Sequence, residues 1–186
     1  MSKVLVPLAN GFEEIEAVAI IDVLRRAEIE VFVASLGEDA QVDGANGITV
    51  VADMDIKDII VDELDMIVLP GGWDGTYALA DNVTVQSILK EMDQKGKNIA
   101  AICAAPFALH KAGVLKHEYT CYPSVEEEIR KEGFMGDMAM VVEHDNIMTS
   151  RGPGTAICFA LEIVKKLQGE EMYLALKEGL LADFCV

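Results

Sequence analysis

Asn98-Ile99-Ala100-Ala101-Ile102-Cys103-Ala104-Ala105-Pro106 joins an apolar run to a helix-compatible one. Ile99 to Ile102 is short, continuous and apolar, as in a strand buried on both faces. Ala104 to Ala112 predicts a helix, with Pro106 tolerated in the first turn, where its missing N–H costs no bond. Cys103 falls at the junction, and small residues (Ala101, Ala104, Ala105) crowd it, as a sharp strand-to-helix turn requires. This is the logic of a nucleophile elbow with Cys in place of Ser. A thiol there faces the N–H groups of the first helical turn, which favour its anion. A buried structural cysteine fits the same local pattern, because free Cys is among the most buried residue types.

Working outward, apolar strands alternate with helical spacing. Lys3 to Leu8 predicts a first strand, Asn10-Gly11 a turn, and Glu13 to Ala27 a helix with Ile15, Val18, Ala19, Val23 and Ala27 facing inward. Arg25 and Arg26 sit at its C-terminal end, where cations suit the helix dipole. Glu30 to Leu36 is a second strand, Gly37 to Gly47 an exposed, turn-rich stretch, Ile48 to Ala52 a short strand, and Ile56 to Leu64 a short helical connection. Asp65 to Leu69 is another strand, ending in Pro70-Gly71-Gly72, and Asn82 to Lys95 is a helix stopped by Gly96. Beyond the Cys103 unit, Tyr119 to Tyr122 reads as a strand ended by Pro123. Ser124 opens a helix to about Glu132, with Ser124 and Glu127 at capping-box spacing. Met140 to Glu143 and Ile147 to Ser150 flank Asp145-Asn146 as a hairpin. Helices Ala156 to Gln168 and Glu170 to about Leu181 close the chain.

This alternation predicts one α/β domain over residues 1–186, flavodoxin-like and doubly wound, with a mostly parallel sheet, helices on both faces and a small β-hairpin. In such sheets sites form at the carboxyl ends of the strands, near the point where strand order reverses. Asn10-Gly11, Gly71-Gly72 and Cys103-Ala104 would meet there, with Glu16 in reach from the first helix.

Composition bounds the chemistry. The chain is 52% hydrophobic and carries a formal net charge of -17. That field repels phosphate backbones, so no nucleic-acid partner is expected. No apolar run reaches the length of a membrane span, no basic, apolar leader opens the sequence, and a cytoplasmic location is expected by default. Cys103, Cys121, Cys158 and Cys185 show no regular spacing and are expected to be reduced thiols. Three histidines and four cysteines lack zinc-ligand spacing, so no metal is expected. Without a Gly-x-Gly-x-x-Gly or phosphate loop, no nucleotide cofactor is expected either.

Four motifs occur in order: Gly11-Phe12-Glu13-Glu14-Ile15-Glu16, Leu69-Pro70-Gly71-Gly72, Ala100-Ala101-Ile102-Cys103-Ala104-Ala105-Pro106, and Thr149-Ser150-Arg151-Gly152-Pro153-Gly154-Thr155. Together they resemble the ThiJ/PfpI superfamily, in the branch of the parkinsonism-associated deglycase and its bacterial relatives. The likeness runs from about Lys3 to the final helix. It implies that Cys103 is the reactive thiol and that Glu16 hydrogen-bonds its sulfur. It also implies a homodimer, with Arg25 and Arg26 on the helix near the interface. Gly72 and Ala104 N–H groups suit an oxyanion site, and Arg151 suits a substrate carbonyl or carboxylate. The resemblance departs at histidine. Ala104 follows the cysteine and Tyr122 precedes Pro123, where many relatives carry His, so no Cys-His pair is present; Glu16 is then expected to shuttle the proton and Tyr122 to donate a hydrogen bond at the oxyanion or substrate.

An ionised Glu16 would repel a thiolate, whereas a protonated Glu16 would donate to it. Glu16 is therefore expected to be neutral and to titrate together with Cys103. The resemblance implies cofactor-free chemistry on a small carbonyl substrate such as methylglyoxal or glyoxal, of the glyoxalase III or deglycase type. Missing histidine chemistry weighs against a protease. A peroxide sensor or redox-regulated chaperone would use the same cysteine. The link to thiazole monophosphate biosynthesis that relatives carry by name finds no phosphate loop in these residues.

Overall fold

The computed structural model describes residues 1–185. Its centre is a seven-stranded sheet: β1 (Lys3–Leu8), β2 (Glu30–Ser35), β5 (Met54–Asp55), β6 (Met66–Leu69), β7 (Asn98–Ile102), β8 (Val141–His144) and β9 (Ile147–Ser150). The spatial order is β5-β2-β1-β6-β7-β9-β8, parallel except where β8 pairs antiparallel with β9. Strands β3 (Gln41–Asp43) and β4 (Thr49–Val51) form a separate antiparallel hairpin. The chain runs outward from β1 to β2 and β5, then returns across β1 to β6, β7 and β9, so strand order reverses at the β1/β6 boundary. This is the doubly wound α/β architecture that the alternation predicts.

Right-handed crossovers in opposite directions put the helices on opposite faces. α1 (Glu14–Arg26) packs on α6 (Ala156–Gln168), which carries α7 (Glu170–Gly179). α2 (Trp73–Asp81), α3 (Val83–Gln94) and α4 (Pro106–Ala112) pack on one another. A strand covered on both sides cannot alternate, and Ile99 to Ile102 of β7 are all fully buried. Removing Ile99 and Ile102 from water contributes about 1.5–3 kcal/mol each.

Several local expectations change. α1 sits rotated from its predicted face: Ile15 is 60% and Val18 48% exposed, while Glu14 and Glu16 are buried with Ala17, Ile20, Val23 and Leu24. The cause is polar. Glu14 accepts from the Asn46 side chain at 2.9 Å and from the Asn46 and Ile48 N–H groups, which ties α1 to the β3–β4 hairpin. Burial opposes its charge, but those donors prevail and hold its carboxyl below the usual range. A side chain at Gly44 would run into that carboxylate. The stretch expected as exposed turns thus contains β3.

The connection from Ile56 to Leu64 is two 3₁₀ turns, and α2 fills a segment for which the sequence offered no element. Tyr119–Tyr122 is not a strand: only Tyr119 makes a bridge, to Phe134. The helix after Pro123 is confined to α5 (Glu126–Ile129), because Ser124 adopts φ 81, a left-handed conformation incompatible with the expected cap. The cysteines are not all reduced. Cys158 on α6 and Cys185 form a disulfide that fastens the end of the described chain to the core, leaving Cys103 and Cys121 free.

Candidate active site

Cys103 occupies the end of β7 with φ 64, a backbone conformation that costs a non-glycine residue energy and persists only when its surroundings impose it. Its N–H donates to Ser150 O at 3.0 Å, and its carbonyl accepts from Tyr122 N–H at 2.9 Å. The elbow is therefore clamped between the end of β9 and the Tyr122 backbone. The regular helix begins at Pro106 and not at Ala104, so the thiol faces turn amides instead of a full helical turn. Two such N–H groups, of Gly72 and Ala104, lie toward the sulfur and favour its anion.

Glu16 comes from the second residue after the start of α1. Glu13 holds that end of the helix: its carboxylate accepts from Glu16 N–H at 2.8 Å. The Glu16 side chain is fully buried. Oε2 accepts from Gly71 N–H at 2.7 Å, and Oε1 has no hydrogen-bond partner within the protein. The remaining neighbour is Cys103, and each group shifts the ionisation of the other.

Gly71, which the sequence placed at the site only as half of the Gly71-Gly72 turn, leaves no space between the carboxyl and the thiol. A Cβ there would lie 2.6 Å from Cys103 Cβ and 2.7 Å from Glu16 Oε2. Its signal was the doubled glycine, one member of which serves the carboxyl and the other the sulfur. Gly72 has φ 89, and a Cβ would collide with Gly11 O at 2.3 Å, so this turn also locks the loop after β1 onto the loop after β6.

Burial pushes the Glu16 carboxyl up to about 7, against the pull of the Gly71 N–H. Burial also pushes the Cys103 thiol up, an ionised Glu16 pushes it further, and the Gly72 and Ala104 N–H groups pull it down. Two anions cannot share this dry space, so the pair retains a proton near neutrality. With that proton on Glu16, the repulsion disappears and the carboxyl becomes a donor to the thiolate.

The other expected residues are placed less centrally. Tyr122 contributes its backbone to the elbow; its ring is half-exposed and packs over Gly152. Arg151 and Tyr122 border a cavity of about 250 Å³ with Pro123, Gly152 and Pro153, and Cys103 is not among its lining residues. Arg151 Nε is buried without a partner. Cys121 is fully buried, and burial raises its thiol to about 12. Arg25 pairs with Asp53 at 2.9 Å and Arg26 with Asp22 at 2.7 Å, away from the thiol. Among the described residues no group of three His, Cys, Asp or Glu side chains is arranged to hold a metal ion, and no helix is long and apolar enough to cross a membrane.

Comparison with known proteins places this geometry in context. The DJ-1/PfpI family profile matches residues 2–166. Protein dj-1beta of Drosophila melanogaster is 40% identical over 186 residues, 99% of this chain and 100% of that protein. Its crystal structure superposes with a TM-score of 0.93, covering 97% of this chain and 98% of that one. The glutathione-independent glyoxalase DJR-1.2 of Caenorhabditis elegans is 36% identical over 159 residues, 86% of this chain and 84% of that protein. Oxidized Toxoplasma gondii DJ-1 has 38% identity and a TM-score of 0.89, over 97% of this chain and 98% of that one.

Proposed function

This chain belongs to the DJ-1/PfpI family, and we propose on that premise that it converts small dicarbonyls such as methylglyoxal to 2-hydroxy acids through Cys103. The observation that carries the proposal is the buried Glu16 carboxyl, fixed by Gly71 through one oxygen, its other oxygen unpartnered and its proton retained near neutrality. A group of that kind both gives and takes a proton at working pH. The glyoxalase name of the Caenorhabditis elegans relative supports the same chemistry.

The thiolate attacks the aldehyde carbon, forming a carbon–sulfur bond and an alkoxide that the Gly72 and Ala104 N–H groups stabilise. Glu16 gives its proton to that oxygen and completes a hemithioacetal. As a carboxylate, Glu16 then removes the hydrogen from the former aldehyde carbon and returns it to the adjacent carbon, while the hemithioacetal hydroxyl proton passes to the former ketone oxygen. The result is a thioester of the 2-hydroxy acid. Water cleaves the thioester, releasing lactate from methylglyoxal and restoring the thiol. One carbon is oxidised and its neighbour reduced, so the sum is methylglyoxal plus water, with no external oxidant. Deglycation of early carbonyl adducts would begin from the same attack. Arg151 and the Tyr122 hydroxyl are assigned to substrate orientation from the adjoining cavity.

The test is lactate formation from methylglyoxal without added glutathione. It should occur with the wild-type protein and be lost in Cys103→Ala. Full turnover in that variant, or none in the wild type, overturns the assignment. A second reading, peroxide sensing, is favoured by the same two N–H groups, which would also hold a sulfinate on Cys103. It requires mild peroxide to add two oxygens at Cys103 in preference to Cys121. We infer also that two copies pair through the exposed Ile15 and Val18 of α1, apolar side chains that a lone chain leaves in water.

A further inference from the structure

A cavity of about 550 Å³ opens between the segment before β8, the strands β8 and β9, and α6. Both halves of the Cys158–Cys185 disulfide line it, whereas Cys103 and Cys121 do not border it. The two disulfide residues are only 4% and 2% exposed, so this cavity is where a small molecule meets their sulfurs. A staple needs no such opening: a disulfide sealed in the core constrains the unfolded chain equally well.

Charge makes the cavity selective. Asp137, Glu143 and Glu162 line it, and no Lys, Arg or His does. Lys166 pairs with Glu143 at 2.6 Å, and Lys165 is drawn to Glu170 at 2.8 Å. Asp137 and Glu162 make no salt bridge among the described residues. Burial raises the Glu162 carboxyl; Lys165 and Lys177 oppose this, and Glu170 and Glu143 add to it. A cation entering the cavity therefore offsets negative charge that the fold leaves over. The same groups make the two sulfurs unequal. Glu162 follows Cys158 by one turn of α6, on the same face. Lys177 donates to the Cys185 carbonyl. An electron pair is better placed on Cys185, beside an ammonium, than on Cys158, beside a carboxylate.

We propose that Cys158–Cys185 is a second reactive sulfur site, at which a small aminothiol entering this cavity exchanges with the disulfide. The entering thiolate attacks Cys158 Sγ and forms a new S–S bond to it. The Cys158–Cys185 bond breaks, and its electron pair leaves on Cys185 Sγ, which takes a proton from solvent. The entering sulfur is oxidised and the Cys185 sulfur is reduced, so the step needs no other oxidant. The ammonium of the aminothiol lies against Asp137 and Glu162. Exchange frees the turn after α7 from α6 and does not involve Cys103.

The test is exchange of the intact, folded protein with cysteamine, followed by acid quench, alkylation and mass mapping. The adduct should appear on Cys158 and the newly alkylated thiol on Cys185. The anionic thiol 2-mercaptoethanesulfonate should react at least about threefold more slowly, each rate being divided by its value for the urea-unfolded protein. Glu162→Gln should abolish most of that preference. Ala139→Trp, which fills the cavity, should slow both thiols by about tenfold or more. Circular dichroism checks that both variants fold; if Ala139→Trp does not, the Glu162→Gln comparison decides alone. Equal normalised rates for the two thiols, an adduct confined to Cys185, or a rate that tracks global unfolding as urea is added would overturn the proposal. The disulfide would then be a staple, reached only when the chain unfolds.

Discussion

Gly71 N–H donates to Glu16 Oε2 at 2.7 Å, and a Cβ on that glycine would fall within 2.7 Å of both this oxygen and the Cys103 side chain. The contact fixes the carboxyl beside the thiol, and it leaves no room for any other residue. Gly71→Ala is therefore expected to displace Glu16 or Cys103 and to lower methylglyoxal turnover by about 100-fold. Initial-rate assays check this, alongside a circular dichroism spectrum to establish that the fold persists.

Glu16 makes stability depend on pH in an unusual direction. Its folded value of about 7 lies above the ordinary 4.5, so the folded state binds the extra proton between them. The associated stability is fully present below about 4.5 and is lost as pH rises through about 7, to a total of about 3 kcal/mol. Glu16→Gln carries no such proton and should flatten the decline between those limits. Urea unfolding at pH 5 and pH 8 measures the difference; an equal decline in both proteins would assign it elsewhere.

Cys103 and Cys121 should separate cleanly in alkylation. Cys103 is 9% exposed in the otherwise buried turn after β7, and Cys121 is fully enclosed. Iodoacetamide should label Cys103 in the folded protein and reach Cys121 only under denaturing conditions. Glu16→Gln removes the carboxyl that shifts the ionisation of the thiol, and the pH profile of labelling should shift. Mass mapping of the labelled peptides reads both effects.

The Cys158–Cys185 disulfide spans 27 residues and holds α7 and the following turn against α6. Closing a loop of that length contributes about 3 kcal/mol. Cys185→Ser should lower the urea midpoint, and reduction of the wild type should reproduce the shift. Free thiols counted before and after reduction give the occupancy of the bond.

Ile15 and Val18 give the oligomer its test. Ile15→Asp combined with Val18→Asp should leave the chain folded, because both positions already face water, and should convert a pair of copies to single chains. Sedimentation equilibrium measures this. An unchanged mass moves the contact surface elsewhere.

Much of this molecule was legible in one dimension. The apolar runs at β1, β6 and β7 exclude water from both faces, and only a helix-covered parallel sheet satisfies that requirement. Cys103 among small residues marked the elbow, and four motifs in order identified the family. Local pattern failed where distant groups decide a residue's environment. Helical periodicity put Ile15 and Val18 inside and by itself gave no reason to bury Glu14 or Glu16. The structure reverses this, because the Asn46 and Ile48 donors for Glu14 and the Gly71 donor for Glu16 come from segments about 30 and 55 residues away. Cys158 and Cys185 gave no spacing signal, because their approach depends on how α7 turns back along α6. The sequence by itself determined the sheet, the crossovers and the identity of the reactive-cysteine candidate. Only the tertiary structure supplied the full burial that raises the Glu16 carboxyl beside it and the Gly71 N–H that holds it in place, because a pKa is set by burial and by neighbours that the chain brings together last.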